Sequence, residues 1–563
     1  MRTNIDFFSP NHVSSTLSRN TIVVFDEAHN IDSVCVESLS VKLSNRDLDK
    51  AKKRLEQLQQ DVASNRGFRE SGEWFEGQNE DQYIRNQCKG TSSYPYSSSS
   101  VPLDNLHHAP IPGSIAQPAH FISALSRFIE YLRKVLKDFY GTPGSDENLN
   151  SFQFKLFDAT LCDDQILRCF NIRLQKLVKA LKLAGDRLDS LFSLTQVTTF
   201  ASILGTYETG FRMLIENENN YPAYRLICTD PAIAFRPVTT NFKSIVITSG
   251  TLSPISTYKQ ILEIEPQIAV SINCTVARES IKPVIVTRGN DQVQLTSKFE
   301  ARNDPSVVRN YGLLLIELSK VVPDGMIAFF ASYGHLENCL SQWYEADGGG
   351  MRILEALEKQ KLIFVEVPGM TSLELNRVMQ GYKLACQSGH GALLFAVARG
   401  RVSEGIDFSG SLARAVVVLG MPFVNTMSKV TQARLRWIRD CLDIKENNFL
   451  MFDAARHSAQ CLGRAIRGKD DYAMLILADK RFSRADRLNK LPTWLASRVG
   501  ANKDFSIEDV ALEARDHFRK MGISDEELKR LSKRTCLITE KDLQSQDTIK
   551  KCMALVTECH ETS

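Results

Sequence analysis

Near the start of the chain, Thr21-Ile22-Val23-Val24-Phe25 runs into Asp26-Glu27-Ala28-His29. An apolar strand that ends in two adjacent carboxylates suits Mg²⁺-assisted hydrolysis of a nucleoside triphosphate. Asp26 can hold Mg²⁺, mostly through water. Glu27 can orient or deprotonate the attacking water. His29 is placed to sense the γ-phosphate or to touch the strand that ends at Thr248. Far downstream, Gln460-Cys461-Leu462-Gly463-Arg464-Ala465-Ile466-Arg467 reads as helical. At about 100° per residue, Gln460, Arg464 and Arg467 fall within roughly 60° of arc on one face. Gly463 lets another surface come close. Arginine stays charged and grips phosphate oxygens with a planar fork.

Other residues extend this chemistry. Thr248-Ser249-Gly250-Thr251 follows a short apolar run and can relay between nucleotide and nucleic acid, or form an ordinary turn. Gly405 and Asp407 follow the Ala392–Val397 run and suit a nucleotide-coupled site, with Arg399 beside them. Ser332 and Tyr333 end another apolar run; the tyrosine can stack on a base or simply pack. Arg288 opens a polar turn from which it can reach a phosphate. Gly463 to Asp470 imitates a phosphate loop, but Asp470 replaces the magnesium-binding hydroxyl, and the glycines sit at a helix end instead of in the turn after a strand. No phosphate-cradling loop precedes Asp26.

The elements that position these residues follow from periodicity. Residues 1–36 hold one strand and its carboxylate turn. Leu48, Leu55, Leu58 and Val62 recur at helical spacing, as do Phe121, Leu125, Phe128, Leu132 and Val135. Residues 37 to 235 therefore read as a helical insertion. Within it, residues 88–118 form a Ser/Pro/Gly-rich flexible loop whose His107 and His108 lack partners at zinc spacing. Residues 236–275 return to the first α/β domain through Ser244-Ile245-Val246-Ile247. Residues 276–530 read as one complete α/β domain, with apolar strands at Met326–Phe330, Leu362–Val365, Ala392–Val397, Ala415–Leu419 and Met474–Leu477. Gly348-Gly349-Gly350 reads as a connector, and residues 531–563 as a polar helical tail. The fold class is α/β, with two parallel-sheet domains around a helical insertion.

Composition bounds the function without choosing it. The chain has 563 residues, 43% hydrophobic and 24% charged, with a net charge of +3. A nucleic-acid partner would have to use local basic strips, which a whole-chain sum hides. The 13 cysteines form no C-x-x-C pair and read as reduced thiols. The longest apolar stretches are too short for a bilayer, so no membrane partner is expected.

Asp26–His29, Thr248–Pro254, Met326–Tyr333, Arg399–Phe408 and Gln460–Arg467 together resemble motifs II to VI of superfamily 2 helicases. Phe25–Asp32, Arg288–Val293, Gln460–Tyr472 and Ala478–Phe482 bring the chain closest to the XPD family of DEAH-type iron–sulphur helicases. Related helicases carry histidine where this chain has Gly468-Lys469. The resemblance implies two RecA-like domains, the first incomplete here, and an Arch-like insertion. It implies ATP and Mg²⁺ as cofactors, with Asp26 and Glu27 serving the metal and water, and Arg464 and Arg467 the γ-phosphate. It implies 5′→3′ unwinding of DNA in the nucleus, for nucleotide excision repair and transcription initiation. The implied partners are single- and double-stranded DNA and other subunits of transcription factor TFIIH, a regulatory core subunit and the kinase-module anchor among them. The family's phosphate loop and the cysteines of its 4Fe–4S cluster are expected upstream of the carboxylate strand, and the chain alone is therefore expected to be a truncated form, poorly stable and nearly inactive. Two alternatives stay open: a non-catalytic scaffold that binds TFIIH subunits, and another iron–sulphur helicase of DNA repair.

Overall fold

The computed structural model describes residues 20–64, 115, 117–139, 145–147, 149–181, 191–218, 221–272, 280–345, 352–389, 391–468, 471–500 and 503–522. The flexible loop read over 88–118 lies outside them except at its end, where Ile115 is buried and Pro118 opens a helix. His107, His108, the Gly348–Gly350 connector, Lys469, Asp470 and the 531–563 tail also lie outside them. The chain divides into two compact units: Met1–Cys274 with Met421–Gln460 and Arg484–Ser497, and Thr275–Gly420 with Cys461–Ser483 and Arg498–Ser563.

The first unit contains six described strands: β1 (Ile22–Phe25), β2 (Val41–Ser44), β3 (Ser145–Glu147), β4 (Phe211–Glu218), β5 (Tyr221–Cys228) and β6 (Ser244–Ile247). β1 and β6 pair in parallel, with Ile22 opposite Ser244 and Phe25 opposite Ile247. Strands built for burial on both faces would hide all four β1 residues. Instead Val23 and Phe25 are buried, while Ile22 and Val24 are 63% and 60% exposed. Among the described residues one face of this pair is uncovered. The covered face is held by apolar contact with the rest of the unit, including Phe25 against Phe235 at 5.8 Å between ring centroids.

The insertion is helical where its periodicity demands it. Leu48, Ala51, Leu55 and Leu58 line the buried face of helix Asn45–Ser64. Phe121, Leu125, Phe128 and Leu132 do the same in helix Pro118–Asp138, which opens on proline as helices tolerate at their first turn. Asp163 caps helix Asp164–Ala180 by accepting from the Ile166 amide at 2.8 Å. That helix meets helix Phe192–Thr206 at Gly205, where a Cβ would stand 2.6 Å from the Asp164 carbonyl oxygen. The insertion is not purely helical, however. β2, β5, β4 and β3, in that order, form a four-stranded antiparallel sheet. Pro222 and Arg225 interrupt β5, so it shows neither period-two alternation nor a continuous apolar run.

The second unit is a seven-stranded sheet. Its members are β7 (Ile281–Arg288), β8 (Gly325–Phe330), β9 (Leu362–Val365), β10 (Ala392–Val397), β11 (Ala415–Leu419), β12 (Ala473–Ala478) and β13 (Phe505–Ser506), in the order β13-β7-β12-β11-β8-β10-β9. All six pairings are parallel. β8, β10, β11 and β12 are buried along their whole length, as strands covered on both faces should be. β7 went unread in the sequence because Pro283 interrupts its apolar run.

Residues 276–530 do not form one continuous domain. Helices Lys429–Leu442 and Glu446–Gly463, up to Gln460, belong with the first unit. The physical reason is that Leu435, Ile438, Phe449 and Phe452 join the same apolar cluster as Val23, Phe25 and Phe235.

Asp230 caps helix Pro231–Asn241 by accepting from the Ala232 amide at 2.9 Å. Burial pushes its carboxyl up to about 6, outweighing the Ala232 amide, which pulls it down. A carboxyl raised above its unfolded value contributes stability below about pH 4, and that contribution is lost as pH rises through about 6. Asp230→Asn keeps an acceptor for the cap and removes the buried charge. Unfolding midpoints between pH 4 and 8 should show the variant melting about 2–4 °C higher than wild type at pH 8, with the gap closing toward pH 4.

Candidate active site

β1 delivers Asp26 and Glu27 to its carboxyl end, where open α/β sheets place ligands. Both carboxylates are exposed. Glu27 adopts a left-handed backbone, φ 51° and ψ 39°, which is unfavourable for a side chain of this kind. Its amide donates to Asp26 Oδ1 at 2.9 Å. The chain is held beyond this bend by the Ala28 amide, which donates to the Thr248 carbonyl at 3.0 Å.

His29 is buried, and its Nδ1 lies 3.1 Å from Ser249 Oγ and 3.4 Å from Glu27 Oε2. The carboxylate turn and the turn after β6 are thus brought together. Ser249 Oγ also stands 3.4 Å from Glu27 Oε2 and 3.5 Å from Thr251 Oγ1. Trp494 Nε1 donates to the Gly250 carbonyl at 3.0 Å. Among the described residues, apart from its chain neighbours, nothing lies within 4 Å of where a Gly250 side chain would begin.

Behind the turn lies a buried charge cluster that sequence reading passed over. Arg456 donates to Asp32 Oδ1 at 2.7 Å, to Asp453 Oδ1 at 2.6 Å and to the His29 carbonyl at 2.7 Å. Arg434 donates to Asp32 Oδ2 at 2.5 Å. Burial by itself would raise the Asp32 carboxyl, but Arg456 and Arg434 hold it below its usual value. The available signal was the pair Asp453 and Arg456, opposite charges three residues apart among Phe452, Ala454, Ala455 and Ala459.

In the second unit the arginines do not share one helix face. The helix ends at Gly463, and Arg464, Ala465 and Ile466 continue in a tighter turn, their amides donating three residues back. Arg467 lies beyond it. Asp471 causes the exit: its Oδ2 accepts from the amides of Arg467 at 2.9 Å and Gly468 at 2.7 Å, and its Oδ1 from the Gly410 amide at 2.9 Å. Gly463 therefore terminates a helix and does not interrupt one. Arg464 and Arg467 still converge, on Asp407. Arg467 donates to Asp407 Oδ1, Arg464 Nη1 lies 3.6 Å from the same oxygen, and Arg464 Nε donates to the Ser403 carbonyl at 2.8 Å. Among the described residues, apart from its chain neighbours and the backbone of its own helical turn, nothing lies within 4 Å of where a Gly405 side chain would begin. Gln460, in the last helical turn, is buried, and its Oε1 has no hydrogen-bond partner among the described residues.

The remaining candidates have structural occupations. Ser332 caps helix Tyr333–Tyr344 by accepting from the His335 amide at 3.2 Å. The Tyr333 hydroxyl donates to Glu366 Oε1 at 3.1 Å; burial and the Glu366 carboxylate push it up to about 12. Arg288 pairs with Asp504. Arg399 is half-buried in the loop after β10. Glu366 was missed in the sequence, although a lone carboxylate directly after an apolar strand is a readable signal. It is buried and accepts from the amides of Val397 at 3.0 Å and Arg401 at 2.8 Å, organising the loop that carries Arg399.

The donor set fits Mg²⁺ held by one carboxylate and otherwise by phosphate and water, because Asp26 is exposed at a strand end. No group of three or more His, Cys, Asp or Glu side chains that could by itself hold a metal ion stands among the described residues. Of the eight described cysteines, seven are buried and none is in a disulfide, and among the described residues no four of them form a set that could hold an iron–sulphur cluster. No described helix is long and apolar enough to cross a membrane.

Comparison with known proteins adds the family context. Residues 315–498 match the helicase C-terminal domain family and residues 6–48 match DEAD_2. The general transcription and DNA repair factor IIH helicase subunit XPD of Schizosaccharomyces pombe is 43% identical over 86% of this chain and 62% of its own length. The Dictyostelium discoideum XPD subunit is 40% identical over 86% of this chain and 61% of its own. That of Arabidopsis thaliana is 37% identical over 94% and 69%. The chain thus spans 61–69% of the length of these relatives. A solved apo XPD structure superposes with a TM-score of 0.47 at 16% identity, covering 89% of this chain and 81% of that one.

Replacing Asp471 with alanine would strand three backbone amides at once. Asp471→Ala should lower stability by about 1–3 kcal/mol, read as a lower urea midpoint for the transition of the second unit, with Asp471→Asn losing less.

Proposed function

The chain belongs to the XPD family of helicases, and from that premise we propose that it serves as an ATP-dependent 5′→3′ DNA helicase subunit of TFIIH. In this reading it acts in the nucleus, opening DNA in nucleotide excision repair and supporting transcription initiation by RNA polymerase II. Its partners are single- and double-stranded DNA, the regulatory core subunit of TFIIH and the anchor of its kinase module. The observation that carries the reading is the pair Asp26–Glu27 at the carboxyl end of β1, backed by His29 against Ser249.

When bound, ATP with its Mg²⁺ supplies the phosphoanhydride bond whose cleavage drives movement along the strand. Asp26 offers an exposed carboxylate to the metal. Glu27 orients the attacking water and accepts its proton at the carboxylate. His29 links the Glu27 turn to Ser249, so a change at the carboxylates reaches the Thr248–Thr251 turn. Arg464 and Arg467 offer guanidinium forks suited to γ-phosphate oxygens. Gln460, Gly463, Gly405 and Asp407 belong to the nucleotide-binding set, and Asp407 holds the arginines until phosphate competes for them. Arg288, Ser332, Tyr333 and Arg399 are the candidates for contact with DNA.

Glu27→Gln removes the base while keeping the shape of the side chain. In the protein purified from its own cells with its partners, DNA-stimulated ATP turnover should fall by about 10²–10⁴-fold, and unwinding of a DNA with a 5′ overhang should fall with it. Unwinding that survives this change would sink the assignment of Glu27.

A further inference from the structure

The left-handed backbone at Glu27 needs restraint from outside the turn, because such conformations persist only where their surroundings over-determine them. Three restraints are visible. The Ala28 amide is tied to Thr248, and the His29 ring sits against Ser249. The third is the most unusual. The buried His29 carbonyl accepts two side-chain donors, Arg456 Nη1 at 2.7 Å and the Tyr258 hydroxyl at 2.9 Å. A carbonyl has two lone pairs, and here side chains from two separate helices satisfy both.

Neither donor is an incidental neighbour. The Arg456 side chain is 1% exposed and Asp32 is fully buried. Arg456 already has two carboxylate partners, Asp32 and Asp453, so charge balance alone does not require the carbonyl contact. Tyr258 is buried edge-on against Phe452 at 5.4 Å, which fixes where its hydroxyl points. The charged groups facing the pocket are Asp32, Asp453, Arg434 and Arg456, two of each sign. A buried ion-pair cluster is weak evidence for stability, and one attested use of such clusters is to impose a specific arrangement.

We propose that Arg456 and Tyr258 are positioning residues for the Glu27 carboxylate, acting through the carbonyl of His29. They touch neither nucleotide nor metal. They hold the residue two places after Glu27, and so keep the left-handed bend that aims its carboxylate beside Ser249. The inference rests on the helicase reading above for its consequence in turnover, and on the geometry alone for its consequence in the turn.

Two variants test it. Tyr258→Phe deletes one donor and leaves the ring packing in place. Arg456→Lys keeps the charge but cannot reach Asp32, Asp453 and the carbonyl together. In the unliganded full chain, amide hydrogen exchange of the segment 26–32 should quicken by about tenfold, while the segment 392–397 is unaffected. In the partner-bound protein, kcat for ATP per folded molecule should fall about 3- to 30-fold with KM within about twofold. Unchanged exchange over 26–32 in both variants overturns the proposal. So does exchange that quickens uniformly over residues 20–64 with kcat per folded molecule intact, the signature of a purely structural role. Absence of DNA-stimulated turnover in wild type would overturn the helicase reading instead, and the exchange experiment would still decide whether these two side chains set the turn.

Discussion

Asp32 is a carboxylate with no access to solvent, and the first unit is organised around satisfying it. Removing a carboxylate from water is costly unless charge and hydrogen bonds replace the lost hydration. Arg456 and Arg434 do this, one at each oxygen. Asp32 lies six residues after Asp26, whereas its partners lie about 400 residues later. The ion pairs therefore bind the helix behind the carboxylate turn to helices Lys429–Leu442 and Glu446–Gly463. Apolar contacts reinforce the same junction, with Ile438 and Phe452 in the cluster that contains Phe25. Hydrophobic burial supplies the driving force there. The charges supply direction, since a misplaced helix would strand a buried charge.

The second unit uses acidic residues differently. Its parallel sheet ends in loops whose backbone amides need acceptors, and buried or half-buried carboxylates provide them. Glu366 receives the amides of Val397 and Arg401. Asp471 receives those of Gly410, Arg467 and Gly468. Asp479 is fully buried and receives the amides of Ser297 and Arg481 as well as the Arg481 guanidinium. Each fixes the path of a loop at the end of a strand, where this sheet presents its polar residues. Asp407 is the exception. It is exposed and gathers the side chains of Arg464 and Arg467 instead of backbone, an arrangement that a competing anion could dissolve.

The uncovered face of β1 and β6 fits the same physical picture. A two-stranded sheet is marginal by itself. This one is held through Val23 and Phe25 on its inner face, while Ile22 and Val24 face outward. The turn that β1 delivers is therefore stabilised less by its own sheet than by the contacts behind it: Thr248 across the ladder, Ser249 at the His29 ring, and Arg456 and Tyr258 at the His29 carbonyl.

Local signals made much of this legible beforehand. Five strands of the second unit, from β8 to β12, declare themselves as apolar runs, and for β8, β10, β11 and β12 the reason is that strands covered on both faces need no polar alternation. β1 and its carboxylate pair are equally plain, as are helices Asn45–Ser64 and Pro118–Asp138 with their leucine and phenylalanine stripes. The family resemblance rested on the same motif residues, from Asp26–His29 to Gln460–Arg467. What sequence could not supply is everything that depends on distant partners. Arg212 and Glu216-Asn217-Glu218 in β4, and Pro222 and Arg225 in β5, break their apolar runs, so neither matched a strand template. The helix through Gln460 tightens after Gly463 and is left at Arg467 and Gly468, whose amides go to Asp471, and no helical wheel contains that competition. Helices 429–442 and 446–463 join the first unit through Asp32 and the apolar cluster, a choice made by charge pairing across 400 residues and not by chain continuity. Propensity and periodicity are properties of neighbours in the chain; satisfying a buried charge is a property of neighbours in space.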